Sequence, residues 1–338
     1  MIALACGVAG GSIFFRLGLP LPWMMGAMVA TTVAAVAGAP VALPHRLRTV
    51  MIVVLGVMLG SAFTPDVIER AGPWAVSLGL LVPFIVLATG ASLIYHRRIA
   101  GYEPVTAYFA SAPGGLTDMT IMGVALGGDE RTIALTHSAR IFLVVMLIPT
   151  AFRLFGGFDG AQRANPFVPL DAIDAAVLAA CGVAGYLAAN ALRVPAGALV
   201  GPAVASAALH LPGVTDSALP GWSVAVAQIV VGTAIGCRFA GVAVRTVGRV
   251  LALALGSLMI LVIIAGLITA FANALTGLDP RILVLAYAPG GMAEMALVAL
   301  ALGLDPALVT THHVARIFLV VLLIPLAFRL ARPRDRSP

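Results

Sequence analysis

Lysine is absent from this chain of 338 residues: all 20 basic side chains are arginine, set against 14 acidic ones. Charge of either sign is scarce at 10% of residues, 61% are apolar, and the mean hydropathy is +1.07. That balance excludes a soluble globular domain and indicates an integral membrane protein. The net charge of +6 does not point to nucleic acid, because the arginines are scattered between apolar stretches, as the positive-inside rule expects of membrane loops. Cysteine is scarce too. Cys6, Cys181 and Cys237 each lie in apolar sequence without CxxC spacing or a partner histidine, which excludes a thiolate metal site and leaves small buried apolar side chains. A Walker loop, a GxSxG elbow, an HExxH helix and a CxxCH haem site are all missing, and with them the usual signatures of nucleotide, hydrolase, zinc and haem chemistry. The six histidines are spread along the chain, with only 312 and 313 adjacent, so neither a metal nor a cofactor is expected. Residues 1–19 lack a preceding basic region and a small-residue cleavage site, and are expected to be a first span, not a removable signal.

What is present is a series of apolar runs of about 20 residues, the length that crosses a roughly 30 Å hydrocarbon core as helix. No ten-residue alternating pattern of a barrel occurs. The fold class expected is therefore an all-α polytopic membrane protein. Candidate spans lie at 1–19, 22–39, 49–64, 73–95 and 132–154, with an interrupted segment at 104–127; a second series lies at 174–192, 196–211, 222–240, 248–275 and 306–331, interrupted at 281–303. The two series are copies. Residues 112–154 and 288–330 align without a gap and share 24 of 43 positions, and ACGVAG at 5–10 recurs at 180–185. The duplication divides the chain into a first membrane repeat (1–155), a linker (156–173), a second repeat (174–332) and a basic tail (333–338).

Each copy carries the same polar constellation inside apolar sequence: Pro113, Gly114, Gly115, Asp118, His137 and Arg140 in the first, and Pro289, Gly290, Gly291, Glu294, His313 and Arg316 in the second. Pro-Gly-Gly cannot continue a regular helix, since proline lacks an N–H and glycine is a poor helix former. Irregular backbone at membrane depth is tolerated where protein or a water-filled cavity surrounds it, which makes each break a candidate substrate or ion site. The half-helix after the break offers N–H groups to an anion, and the half before it offers carbonyls to a cation. Asp118 and Glu294 are intramembrane carboxylates, costly unless paired, protonated or wet, and so candidates for a proton or sodium relay or for partners of an arginine. His137 and Arg140 share a helix face, as do His313 and Arg316; the arginines are candidates for pairing with the carboxylates, for binding a substrate carboxylate, or for anchoring at the interface. Asp129 and Asp305 are expected to cap the helices that follow them.

If each interrupted segment dips in and returns, a half has five spans and the halves are inverted; if it crosses, a half has six and the halves are parallel. Counting arginines by side gives 13 against 5 for the first arrangement and at best 11 against 7 for the second. The expectation is thus two inverted repeats of five spans, each with one re-entrant or broken helix.

The doubled APGG(x2)[DE]M and H(x2)ARIF motifs, with paired ACGVAG openings, resemble the bacterial AbrB duplication family of membrane proteins across residues 1–332. The resemblance implies a bacterial inner-membrane location and the labels AbrB family transcriptional regulator or ammonia monooxygenase. The residues themselves supply neither the metal-ligand cluster of a monooxygenase nor a soluble nucleic-acid reader, so a non-enzyme is expected. In outline the plan is similar to the glutamate and citrate secondary transporters with inverted five-span halves. The reading is a secondary transporter that moves a small, anionic metabolite through a midplane site between the repeats. The alternatives are a membrane-embedded regulator or sensor, and a membrane monooxygenase. The partners expected are the lipid bilayer and a small-molecule or ion substrate, without nucleic acid; a homo-oligomer is left open.

Overall fold

The computed structural model describes residues 1–155 and 170–331. Most of the expected linker, the whole basic tail, and Arg163, Arg332, Arg334 and Arg336 lie outside the described residues. Sixteen helices follow one another, with no strand among the described residues. In chain order they are α1 (Ile2–Arg16), α2 (Pro22–Val36), α3 (His45–Gly60), α4 (Pro65–Arg70), α5 (Trp74–Gly79), α6 (Leu81–Arg98), α7 (Pro104–Ser111), α8 (Leu116–Ala125), α9 (Glu130–Phe155), α10 (Ala172–Ala191), α11 (Gly197–His210), α12 (Gly221–Gly236), α13 (Val244–Thr276), α14 (Pro280–Tyr287), α15 (Met292–Ala301) and α16 (Pro306–Ala331). A 3-10 turn, Cys237–Phe239, ends α12.

Among the described residues, six segments are long and apolar enough to cross a membrane: Trp74–Arg98, Glu130–Phe155, Ala172–Ala191, Gly221–Phe239, Val244–Thr276 and Pro306–Leu330. The protein is therefore a multi-pass membrane protein. Several of the expected spans are shorter than their apolar runs: α1 and α2 have 15 residues each and α11 has 14. The helix expected at 49–64 begins earlier, at His45, and draws Arg46 and Arg48 into its first turn.

Local chemistry sets several of these ends. Asp129 Oδ1 accepts from the Thr132 N–H at 2.6 Å, Asp305 Oδ1 from the Ala307 N–H at 2.9 Å, and Asp171 Oδ1 from the Asp174 N–H at 2.7 Å. Each satisfies an amide that the helix itself leaves free, so the expected caps at Asp129 and Asp305 are present. Asp279 caps α14 and meets Arg281 at 2.6 Å, the only ion pair within 4 Å among the described residues. Hydrogen bonds from Arg281 hold the Asp279 carboxyl below its ordinary range. Pro149 and Pro325 both sit inside continuous helices.

Packing sorts the helices into two bundles, and each bundle draws on both halves of the sequence. One joins α1, α2 and α3 to α10, α11 and α12; the other joins α5–α9 to α13–α16. The recurring ACGVAG segments explain the first bundle. A Cβ on Gly10 would lie 2.2 Å from the Gly26 carbonyl oxygen, and one on Gly185 would lie 2.5 Å from that of Gly201. Both helix pairs thus cross backbone to backbone, the small-residue contact that stabilises helices in lipid, where apolar side chains alone gain nothing by association.

The glycines of α3 and α12 also report direction. Gly56 faces Leu199 and Gly60 faces Ala203, so α3 and α11 run the same way; Gly232 faces Met24 and Gly236 faces Met28, so α12 and α2 do too. Each first-half helix therefore lies beside the other half's counterpart of its neighbour. In the second bundle Tyr95, late in α6, meets Gly256, early in α13.

Candidate functional site

Both interrupted segments are hairpins of two half-helices. In the first, α7 and α8 have 8 and 10 residues, about 12 and 15 Å of helix. The chain turns back at residues 112–115: the Asp129 N–H donates to Thr106 Oγ1 at 2.9 Å, and a Cβ on Gly123 would touch Phe109. An uninterrupted helix would set residues 106 and 129 about 35 Å apart. The second hairpin, α14 and α15, repeats these lengths.

The break follows from the sequence in a specific way. Gly115 and Gly291 both adopt extended backbone with negative φ, so a left-handed turn is not what requires glycine. Crowding is. A Cβ on Gly115 would lie 2.8 Å from Asp118 Oδ2, one on Gly114 would lie 2.6 Å from Val320, and one on Gly290 would lie 2.9 Å from Val144; on Gly291 it would overlap the Glu294 carboxylate. Val144 and Val320 are aligned positions of α9 and α16, four residues after Arg140 and Arg316. Each tip therefore rests against the last helix of the opposite half.

Arg140 and Arg316 clamp these tips. Arg140 donates to the carbonyls of Ala112 (3.0 Å) and Gly114 (3.3 Å); Arg316 donates to those of Ala288 (2.5 Å) and Gly290 (2.7 Å). Each also donates to the Nδ1 of the histidine one turn earlier, His137 at 2.8 Å and His313 at 2.9 Å. Both arginines are 4% exposed. The guanidinium thus covers the negative end of the first half-helix, where carbonyls are left without amides. Neither arginine pairs with Asp118 or Glu294, and neither lies at the surface, so of the roles open in the sequence the interface anchor is replaced by a tip clamp.

Hydrogen-bond accounting also fixes the histidines. The Nε2 of His137 lies 2.9 Å from the Phe109 carbonyl and that of His313 lies 3.0 Å from Leu285. A carbonyl only accepts and a guanidinium only donates, so each ring carries its proton on Nε2, keeps Nδ1 bare, and is neutral. With this partner set the histidines orient the arginines.

The carboxylates occupy the other side of each break. Asp118 and Glu294 stand in the first turns of α8 and α15 and fold back over Gly115 and Gly291. The Glu294 carboxylate accepts a hydrogen bond from its own amide. The positive end of each returning half-helix is thereby occupied by the protein's own acid, and the N–H groups expected to receive a foreign anion already face a carboxylate. The two sites differ in cover. Glu294 is 8% exposed beneath α3, which packs on α15 and α16. Asp118 is only half-buried.

Several contributors have no motif in the sequence. The residue before each Ala-Pro-Gly-Gly ties the hairpin to a neighbouring helix: Ser111 Oγ bonds His96 Nδ1 at 2.8 Å, and the Tyr287 hydroxyl donates to the Ser77 carbonyl at 2.6 Å. His312, which lacks a counterpart in the first half, bonds Ser77 Oγ at 2.9 Å. Arg48, in the first turn of α3, and Arg238, in the turn that ends α12, are half-buried. Of the cysteines, Cys181 is buried, and Cys6 and Cys237 are partly exposed. No group of three His, Cys, Asp or Glu side chains that could hold a metal occurs among the described residues.

Comparison with known proteins places this arrangement in a family. A protein of Bacillus subtilis (strain 168), "Uncharacterized protein YhjN", is 26% identical over 353 residues, covering 97% of this chain and 91% of the relative. A protein of Escherichia coli (strain K12), provisionally named regulator AbrB, is 26% identical over 323 residues, covering 91% of this chain and 89% of its own length. The family model described as "Transition state regulatory protein AbrB" matches residues 23–332, taking in both hairpins and both histidine–arginine pairs, and the chain therefore belongs to the AbrB family.

Proposed function

We propose that this protein is a secondary transporter that moves a small organic anion through a site between two inverted repeats, residues 1–155 and 174–332. The observation that carries the reading is the pair of broken segments whose tips each rest on the last helix of the opposite half, each holding an acid over the positive end of its returning half-helix. Broken helices meeting at mid-depth are the recurring substrate and ion sites of such transporters. The parallel course of α3 with α11 and of α12 with α2, each pairing a helix with the counterpart of its antiparallel neighbour, supports inversion.

In this reading Asp118 and Glu294 are the coupling groups. A carboxylate held at a helix N-terminus in a low-dielectric interior is eased by a proton or a cation, and once neutralised it no longer opposes an incoming anion. Arg140 and Arg316 keep the tips in shape and do not bind substrate. Unequal cover of the hairpins supports alternating access: α15 is buried from Met292 to Ala299, whereas on α8 only Met119 and Gly123 are buried. Exchanging these two environments would open the site to the other side. The bundle of α1–α3 and α10–α12 would then be the frame against which the hairpin-bearing bundle moves.

The test is uptake of labelled succinate and acetate by proteoliposomes under an imposed proton or sodium gradient. Asp118→Asn and Glu294→Gln are each expected to slow gradient-driven uptake at least about tenfold. If both kept wild-type coupled uptake, the carboxylate roles would be wrong. Absence of any organic-anion flux, together with a reproducible cytoplasmic protein partner, would instead favour the regulator implied by the family's name.

A further inference from the structure

We infer that Thr89, Ser92 and His96 hold a file of buried water along α6, and that this file admits the coupling proton to the first hairpin; the second clause rests on the transport reading above. The three residues stand at i, i+3 and i+7 of α6, so the helix itself sets them on one face, within about 10 Å along its axis. All three lie deep in the protein, at 6%, 0% and 1% exposure. Yet Thr89 Oγ1, Ser92 Oγ and His96 Nε2 have no hydrogen-bond partner in the protein. No other helix carries such unpartnered atoms at successive turns among the described residues.

Hydroxyls on helices ordinarily turn back to the carbonyl four residues earlier, as those of Ser111, Thr120, Ser138 and Thr150 do here. Thr89 and Ser92 do not. The Ser111 hydroxyl donates to the Ala107 carbonyl at 2.6 Å, so its oxygen receives the Nδ1 proton of His96 at 2.8 Å and Nε2 is left bare. The repeat shows that the fold does not demand polar groups at these places. The same spacing separates Gly60 from Gly236 and Pro113 from Pro289, and carried through α6 it matches the three residues with Ala265, Ile268 and Ala272, all buried and apolar. Water fits the polar set better than a cation. A cation would take the bare nitrogen and the hydroxyl oxygens but leave both hydroxyl protons without acceptors, whereas water accepts those protons and donates to Nε2, reaching the roughly three contacts typical of a buried molecule.

The outer end of the stripe adjoins the exposed Arg97 and Arg98, beside the half-buried Tyr102, whose ring stacks on His96 with centroids 5.3 Å apart. From that end α7 returns along α6 and stops at Ser111, level with His96. Ser92 and Thr89, one and two turns deeper, therefore stand at the depth of the break, past the end of α7. The ionisable groups bordering His96 are Tyr95 and Tyr102 by ring contact, the two arginines that follow it and, through Ser111 and the next carbonyl, Arg140 of α9. α13 has no charged residue after Arg249, and the histidines and Arg316 of α16 are engaged elsewhere. None of these groups is an acid, so a proton at His96 is passed on and not held by an ion pair. Each hop moves one proton between neighbouring water oxygens, with Nε2 accepting it from one and giving it to the next.

Radiolytic labelling tests the water. A brief X-ray pulse on the purified full chain in detergent makes hydroxyl radicals from water in place, and mass spectrometry reads the oxidised side chains. His96 is expected to be labelled despite its burial. His312, equally buried but with both ring nitrogens bonded within the protein, is the dry control. Thr89→Val/Ser92→Ala removes two contacts to the file, so the His96 label should fall about tenfold or more, while Thr89→Ser keeps it. Ser92→Ala alone carries the same comparison with a smaller fall, should the double variant not fold. In proteoliposomes the double variant should slow proton-driven succinate uptake by a similar factor and leave gradient-free succinate exchange near wild type. A wild-type His96 label no greater than that of His312, or one unchanged in the double variant, overturns the proposal. So does loss of the label with proton-driven uptake intact, and so does uptake driven by sodium alone, which keeps the transport reading. Labelling as expected in a protein that moves no organic anion keeps the water file and sinks that reading together with the proton path.

Discussion

Replacing Arg316 by methionine fills much of the same space while removing every polar contact at the second tip. Three buried acceptors then lose their donor: the carbonyls of Ala288 and Gly290 and the Nδ1 of His313. Each orphaned acceptor costs about 1–3 kcal/mol. Against this, the variant no longer buries a guanidinium, which returns several kcal/mol of desolvation. The net expectation is a loss of about 3–5 kcal/mol, the usual result of removing one partner from a buried charged contact. For a chain of this size that corresponds to a fall of about 4–7 °C in the melting midpoint. Arg16→Gln, at the exposed end of α1, is the control and should stay within about 0.5 kcal/mol of wild type. Melting in detergent by tryptophan fluorescence decides it. A midpoint for Arg316→Met within about 1 °C of wild type would refute the clamp.

Further outcomes follow from the same contacts. His313→Leu removes the ring that orients Arg316, and its effect should be far from additive with Arg316→Met, because the two act on one tip; a double-mutant cycle in detergent melts measures the coupling. Gly185→Val should abolish folded yield, since its Cβ would lie 2.5 Å from the Gly201 carbonyl oxygen, whereas Gly248→Ala meets nothing within 4 Å and should gain about 1 kcal/mol of helix stability. Cysteines at Glu103 and Glu130, in a background with the three native cysteines changed to alanine, should both react with an impermeant maleimide from the same side of the membrane. Labelling from opposite sides would mean that the first hairpin crosses.

The internal duplication made much of this architecture legible in one sequence. Repeated Pro-Gly-Gly breaks forecast the hairpins, because proline and glycine interrupt a helix wherever they fall. Asp129 and Asp305 could be assigned as caps because the short side chain acts on amides within three residues. The arginine roles were not legible. Arg140 reaches a carbonyl 28 residues earlier in the chain, and no local pattern distinguishes a guanidinium that meets a carbonyl from one that meets a carboxylate.

Sequence alone therefore determined the membrane class, the helical content, the twofold repeat and the position of each break, since all of these depend on composition and on interactions within a few residues. Tertiary structure decided that each bundle mixes the two halves, that the tips rest on opposite last helices, and that Glu294 is more deeply covered than Asp118. Those outcomes depend on contacts between segments more than a hundred residues apart, for which helix packing through small residues sets the geometry and no periodicity in the chain carries the record.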